Sequence, residues 1–94
     1  MTRIIVKQLV WDEWNIEHIK KHNVAQNEVE EVARSAVVHK KAKQGRYLII
    51  SRVGSRILSV IINRKRVGVY YPITARDASK KERRQLYEKE KKIS

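Results

Sequence analysis

The 94-residue sequence contains no cysteine, which excludes disulfides and thiolate metal sites together. A disulfide-stapled secreted domain is ruled out, and a reducing cytoplasm is the expected compartment. No run of about 18 apolar residues occurs, so no helix is expected to span a membrane. The N-terminal segment alternates (Arg3, Ile4, Ile5, Val6, Lys7, Gln8, Leu9, Val10) and lacks the uninterrupted apolar stretch of a signal peptide. A glycine-rich phosphate loop, a nucleophile motif, internal repeats and low-complexity linkers are missing as well. The most informative absence is of acid: residues 32–76 hold eleven Lys and Arg and not one Asp or Glu.

What is present fits one small folded domain, residues 1–94, because chains of this length form a single core. The apolar fraction, 41%, is enough for a modest interior. Net charge is +12 and unevenly spread: residues 1–31 carry a net −2 and residues 77–94 a net +3. Like charges in a folded domain repel, and a polyanion relieves that cost. Phosphate backbones attract such surfaces strongly and with marked salt dependence. A membrane-surface role fits less well, since the basic region reads as strands rather than as one amphipathic helix. A merely solvated cationic surface is the bland alternative.

Residues 3–10 read as a first strand. Asp12 is an N-cap for a helix to about His22, with Ile16 and Ile19 on one side, and Asn23 breaks it. A second helix is expected over residues 26–36, from the spacing of Val29, Val32, Ala33 and Ala36. Glu28, Glu30 and Glu31 favour its dipole. A basic connector (His39, Lys40, Lys41, Lys43, Gly45) is expected to be exposed and mobile. Three strands follow, over residues 46–53, 56–63 and 67–74, joined by turns at Gly54-Ser55 and Arg64-Lys65. Ser79-Lys80-Lys81-Glu82 is a capping box that opens a charged C-terminal helix.

These turns set Arg52 opposite Ile57, Ile50 opposite Ser59 and Leu48 opposite Ile61. In the second hairpin they set Ser59 opposite Tyr70 and Ile57 opposite Pro72. One face then holds Tyr47, Ile49, Leu58, Val60, Ile62, Val67, Val69, Tyr71 and Ile73 as a core. The other holds Arg52, Ser59, Tyr70, Thr74 and Arg76, together with Leu48, Ile50, Ile57 and Ile61. A slip of one residue in the second hairpin would move Tyr70 and Thr74 across the sheet.

Several elements of this pattern resemble the BrnT family of bacterial toxins, which share the RelE-like fold. They are Trp11-Asp12-Glu13 after the first strand, Lys21-His22-Asn23-Val24 after the first helix, and Val69-Tyr70-Tyr71-Pro72-Ile73-Thr74-Ala75-Arg76-Asp77-Ala78 running into Lys80-Lys81-Glu82-Arg83-Arg84. The resemblance spans residues 9–88. Its most specific piece is Thr74-Ala75-Arg76, which matches the family's Ile-Ser-Ala-Arg pattern. Departures are Asn23 for a common glycine, Ala25 for a capping Ser or Thr, a basic connector where many relatives carry aspartates, and Ser51-Arg52 for Gly-Arg. The resemblance implies an α+β RelE-like domain of order β-α-α-β-β-β-α, an antiparallel sheet with both N-terminal helices on one face. It also implies a cytoplasmic ribonuclease that blocks translation, uses no cofactor, and is neutralised by a BrnA-like ribbon-helix-helix antitoxin. DNA would be met only indirectly, through the antitoxin complex.

Cleavage of RNA without a metal needs a 2′-hydroxyl to lose its proton and attack the adjacent phosphate while cations stabilise the developing charge. Arg52 and Arg76 are the candidates for that charge, because the guanidinium fork meets phosphate oxygens in pairs. His22 is a candidate general acid or base, or a helix-terminal histidine facing the dipole. Lys21, Tyr70, Trp11 and Thr74 are candidate RNA contacts. For Lys21 the alternative is solvation, for Tyr70 sheet packing and for Trp11 the core. His18 and His22, four apart, lack a third ligand, so no metal site is expected. The alternative from another class is a non-catalytic RNA- or ribosome-binding module using the same basic face. A DNA-binding regulator comes third, since no helix-turn-helix pair reads clearly.

Overall fold

The computed structural model describes residues 4–93; Arg3, the first residue of the expected N-terminal strand, lies outside them. That strand is far shorter than the sequence suggests. Only Gln8–Leu9 form β1, parallel to a strand late in the chain. The chain then turns into α1 (Glu13–Lys20), and the reason is local. The Asp12 carboxylate accepts the Asn15 N–H at 3.0 Å, and the Asn15 side chain accepts the Asp12 N–H at 2.9 Å, so two free helix-end donors are satisfied reciprocally. Asn15 is fully buried, and its amide donates onward to the carbonyls of Val10 at 3.0 Å and Pro72 at 3.1 Å. One side chain thus ties the helix start to the sheet.

Helix α1 ends at Lys20, before His22, and Asn23 takes a left-handed φ of 58°, which asparagine tolerates. In α2 (Gln26–Ser35) the cap residue Ala25 has no side-chain acceptor. The Glu28 carboxylate still reaches back to the Ala25 N–H at 2.9 Å.

Four more strands follow: β2 (Val38–Lys41), β3 (Arg46–Val53), β4 (Arg56–Arg66) and β5 (Val69–Asp77), in sheet order β1-β5-β4-β3-β2. The expected basic connector is therefore partly a strand, since His39, Lys40 and Lys41 pair with β3. Its single core residue, Val38, gives too little alternation to show in the sequence. The element order gains this strand, and the sheet is mixed because β1 runs parallel to β5. The Gly54-Ser55 hairpin has the expected register, with Arg52 opposite Ile57, Ile50 opposite Ser59 and Leu48 opposite Ile61.

The second hairpin departs from expectation. It turns at Val67 and Gly68 rather than at Arg64-Lys65. Gly68 takes φ +77°, which favours glycine, and a Cβ there would also press on the Lys7 side chain at 3.0 Å. Ser59 consequently faces Arg76 instead of Tyr70, and Pro72 pairs with Ile62 instead of Ile57. Between Ile61–Thr74 and Ile62–Pro72 the register shifts, leaving Ile73 as an extra residue. Such a bulge reverses the alternation of faces. Pro72 and Ala75, three apart, lie on the face of Ile62 and Val60, while Thr74 and Arg76 lie on the other. The chain's only proline sits where a ladder can spare a donor. Tyr70 therefore enters the core instead of the opposite face, and Val67, expected in the core, is 76% exposed at the turn. Tyr71 and Ile73 are only half-buried.

Helices α1 and α2 cover one face, where Ile19, Val24, Val29 and Val32 pack on Ile49, Leu58, Val60 and Ile62. The opposite face is covered by α3 (Lys80–Ile93), where Leu86 packs with Val38, Ile50, Ile57 and Ala78. This second layer accounts for the apolar residues left over on the arginine face. Replacing Asn15 with Ala is expected to cost about 2–3 kcal/mol, since it leaves a buried carbonyl and an N–H unpaired. Urea unfolding checks this, and a loss below about 0.5 kcal/mol would contradict the role given to Asn15.

Candidate nucleic-acid interface

Arg52 on β3 and Arg76 on β5 flank β4, facing Ile57 and Ser59, which are two residues apart. With strands about 4.8 Å apart and a rise of about 3.3 Å per residue, the two arginine positions lie roughly 12 Å apart. Both are on the α3 side of the sheet, near the Gly54-Ser55 turn, and Thr74 follows on the same face opposite Ile61. Sequence reasoning placed these three together, and the register does so too.

Above them α3 presents Glu82, Leu86 and Glu90 at a spacing of four, so one helical stripe faces the sheet. A helix rises about 1.5 Å per residue, which separates the two carboxylates by about 12 Å, the spacing of the arginines beneath. Glu82 takes a forked pair of bonds from Arg76, at 2.7 and 2.9 Å. It also accepts the Ser59 hydroxyl and the Ser79 N–H, each at 2.8 Å. Glu90 takes the fork of Arg52 at 2.7 and 3.1 Å, and that guanidinium stands 5.6 Å from the centre of the Tyr87 ring.

The Arg76 guanidinium holds the Glu82 carboxyl far below the usual carboxylate range, at about 2, with the Ser79 amide and Ser59 hydroxyl adding to the effect. Arg52 lowers Glu90 in the same way. The same carboxylates raise both arginines. The arrangement can thus bind two anionic groups at fixed separation, and in this conformation it binds the protein's own.

The other residues singled out from sequence lie elsewhere. His22 and Lys21 are exposed at the end of α1, on the far side of the sheet from Arg76. There His22 meets His18 edge-on at 5.7 Å, and His18 stacks on Trp14 at 4.8 Å. Trp11 is half-buried, and its indole N–H donates to Glu30 at 2.7 Å, which ties the start of α1 to α2. Tyr70 is buried and packs edge-on against Tyr47 at 5.9 Å. The expected catalytic trio is thus two arginines together and a histidine apart.

Sequence reasoning missed Glu90 and Arg56 and saw Glu82 only as a cap. Arg56 donates to the Asn23 carbonyl at 2.9 Å and pairs with Glu28 at 3.1 Å and Asp77 at 3.2 Å, locking the α1–α2 turn to the end of β5. Glu82 did carry a signal, as the sole acid among Lys80, Lys81, Arg83 and Arg84. Among the described residues no three His, Asp or Glu side chains cluster as a metal site. No described helix is long and apolar enough to cross a membrane.

A small α+β domain with a forked arginine pair between its sheet and its last helix is the class defined by this geometry. The fold is the BrnT fold. The crystal structure of the Brucella abortus ribonuclease toxin BrnT matches with a TM-score of 0.65 and 26% identity, over 78% of this chain and 97% of that one. No family model matches the sequence, and neither does a curated protein.

Because Glu82 is depressed when folded, its contribution to stability is complete above its unfolded value near 4.5 and is lost as pH falls toward about 2. Glu82→Gln is expected to flatten the acid limb of the stability curve across that window and to lower stability at pH 7. Melting temperatures between pH 2 and 7 check this; superimposable acid limbs would contradict the network.

Proposed function

We propose that this chain is a ribonuclease toxin of a two-component toxin–antitoxin system, cleaving RNA in the cytoplasm and thereby blocking translation. The observation that carries this reading is the Arg52–Arg76 pair, two forked cations at fixed separation on one sheet face of a +12 chain with the BrnT fold. Its structural neighbour is itself a ribonuclease toxin.

In the proposed reaction an RNA 2′-oxygen gives up its proton to solvent and bonds to the adjacent phosphorus, while the bond from phosphorus to the 5′-oxygen breaks and that oxygen takes a proton from solvent. Arg52 and Arg76 bind the phosphates and offset the charge that grows on the non-bridging oxygens. RNA takes the places of Glu90 and Glu82 on the two guanidiniums. Glu82, held at about 2, is too weak a base to take the 2′-proton. The reading rests on the arginines and not on His22, which lies across the sheet from them. On this reading no metal takes part, and chelator is expected to leave the activity unchanged.

An exposed sheet-end cation pair also needs silencing in the cell that makes it. A small acidic or mixed-charge antitoxin of the ribbon-helix-helix type, encoded beside the toxin, fits that need. Complementary charge speeds the encounter between inhibitor and toxin. Operon repression then belongs to the complex, through the partner's DNA-binding domain.

Arg52→Ala removes an exposed, solvent-screened pair and is expected to leave the fold intact, so loss of growth inhibition in a folded variant is the expected outcome. At Arg76, truncation strands the mostly buried Glu82. Arg76→Lys is therefore the cleaner change: it keeps the charge, loses the fork, and is expected to lower RNA cleavage at least tenfold. Full toxicity in both variants would reject the arginine assignment. An adjacent reading frame that neither co-purifies nor restores growth would favour a solitary RNA- or ribosome-binding module.

A further inference from the structure

The two ends of the sheet treat their cations oppositely. At the Gly54-Ser55 end, Arg52, Arg56 and Arg76 are each paired with carboxylates. At the other end the β2–β3 and β4–β5 turns meet, where the Arg64 N–H donates to the Gly45 carbonyl at 3.2 Å. Lys40, Lys41, Lys43, Arg46, Arg64, Lys65 and Arg66 crowd there, all exposed. None of these seven forms a salt bridge with a described residue. The N-terminal segment packs near this end, with Ile4 and Val6 against the core cluster that contains Tyr70.

A groove of about 430 Å³ opens beside that segment. Its cationic walls are Lys41 and Arg64, its floor is Tyr47 and Tyr70, and Ile5 and Gly68 close one side. Neither tyrosine hydroxyl has a hydrogen-bond partner among the described residues. Burial raises the Tyr70 phenol, so it stays a neutral donor and acceptor. Paired cations over aromatic rings with free hydroxyls suit a sugar–phosphate chain with unstacked bases.

We propose that this groove is a second RNA site, remote from the arginine face, which anchors single-stranded RNA. Lys41 and Arg64 take adjacent phosphates, and Tyr47 and Tyr70 meet the ribose and base between them. The surrounding lysines and arginines extend the attraction over further nucleotides. Ile5 and Val67, 70% and 76% exposed, also border the groove, so an acidic protein segment with an apolar anchor is the competing occupant; the spread of cations over two hairpin tips and the two tyrosine hydroxyls favour RNA. The proposal rests on the ribonuclease reading for its choice of polyanion. The groove lies on the opposite face and at the opposite end from Arg52 and Arg76, so it acts on affinity and not on the chemical step.

The test uses a fluorescent single-stranded RNA of about twelve nucleotides with every 2′-oxygen methylated, which cannot be cleaved by 2′-attack. The double variant Lys41→Gln/Arg64→Gln touches no ion pair of the fold and is expected to bind it at least tenfold more weakly. The slope of log affinity against log salt is expected to fall by about 1.4, the value for two lost phosphate contacts on a single strand. Cleavage of a dinucleotide should stay at the wild-type rate, while KM for the unmethylated long RNA rises. Unchanged binding of the methylated RNA by the double variant overturns the groove and leaves the ribonuclease reading standing. Wild-type protein that binds the methylated RNA through the groove but does not cleave its unmethylated counterpart overturns the ribonuclease reading and leaves the groove. A double variant that keeps RNA affinity but no longer holds the co-expressed antitoxin overturns the choice of RNA as occupant.

Discussion

The placement of α3 depends on one carboxylate. The helix carries Lys80, Lys81, Arg83, Arg84, Lys89, Lys91 and Lys92 against three acids, so little favours its approach to a cationic sheet. Its fully buried apolar anchor is Leu86, which contributes about 2 kcal/mol by burial. The most buried attraction comes from Glu82, whose side chain is 13% exposed and satisfied by Arg76, Ser59 and the Ser79 amide, with the more exposed Glu90–Arg52 fork and Tyr87 beside Arg52 adding to it. A carboxylate this buried is tolerated only when its lone pairs are filled. Without α3 in place, Ile50 and Ile57 would face water, so the second core hangs on the same contact that holds Arg76.

A second constraint acts through β5. This strand must supply Ala75 to one core, Arg76 to the other face, and Pro72 and Tyr70 to the first core again. Strict alternation cannot do so, and the extra residue at Ile73 resolves the conflict. The bulge explains why the first hairpin was legible and the second was not. Gly54-Ser55 announces its turn through a glycine with nothing competing for it. The run Arg64-Lys65-Arg66-Val67 contains no turn former, and β4 simply continues through its cations until Gly68 permits reversal. The sequence pattern carried the correct face for Thr74 and Arg76 through two errors that cancelled: the wrong turn and the missing bulge. Tyr70, Tyr71 and Pro72, beyond the bulge, betray them by changing sides.

The candidate site was legible to the same depth. Arg52 and Arg76 could be brought to one face from period-two alternation alone. The capping box at Ser79 and Glu82 was equally visible, because it spans three residues. The Arg76 contact of Glu82 needs α3 to lie on the sheet, and the Arg52 contact of Glu90 spans 38 residues. No local pattern specifies either. His22 misled for the converse reason: a residue type suited to proton transfer carries no information about which side of a sheet its helix occupies. Trp11 fell to its packing alternative, since the indole N–H is spent on Glu30.

The two carboxylate–guanidinium pairs under α3 are not equivalent, and their difference orders any release of the face. In the Arg52–Glu90 pair the side chains are 51% and 33% exposed, so solvent screens the pair and leaves it weak. Glu90 also lies in the final part of a helix whose end is strongly basic. The Glu82 cluster adds a hydroxyl and a helix-cap amide to its fork, and breaking it uncaps α3 at the same moment. An anion competing for this face therefore takes Arg52 first, at the cost of one exposed pair, while α3 stays anchored by Leu86 and Glu82. Reaching Arg76 demands the loss of the whole N-terminal attachment. The helix is therefore held more firmly at its start than at Glu90, so partial exposure of the arginine pair costs less than complete exposure.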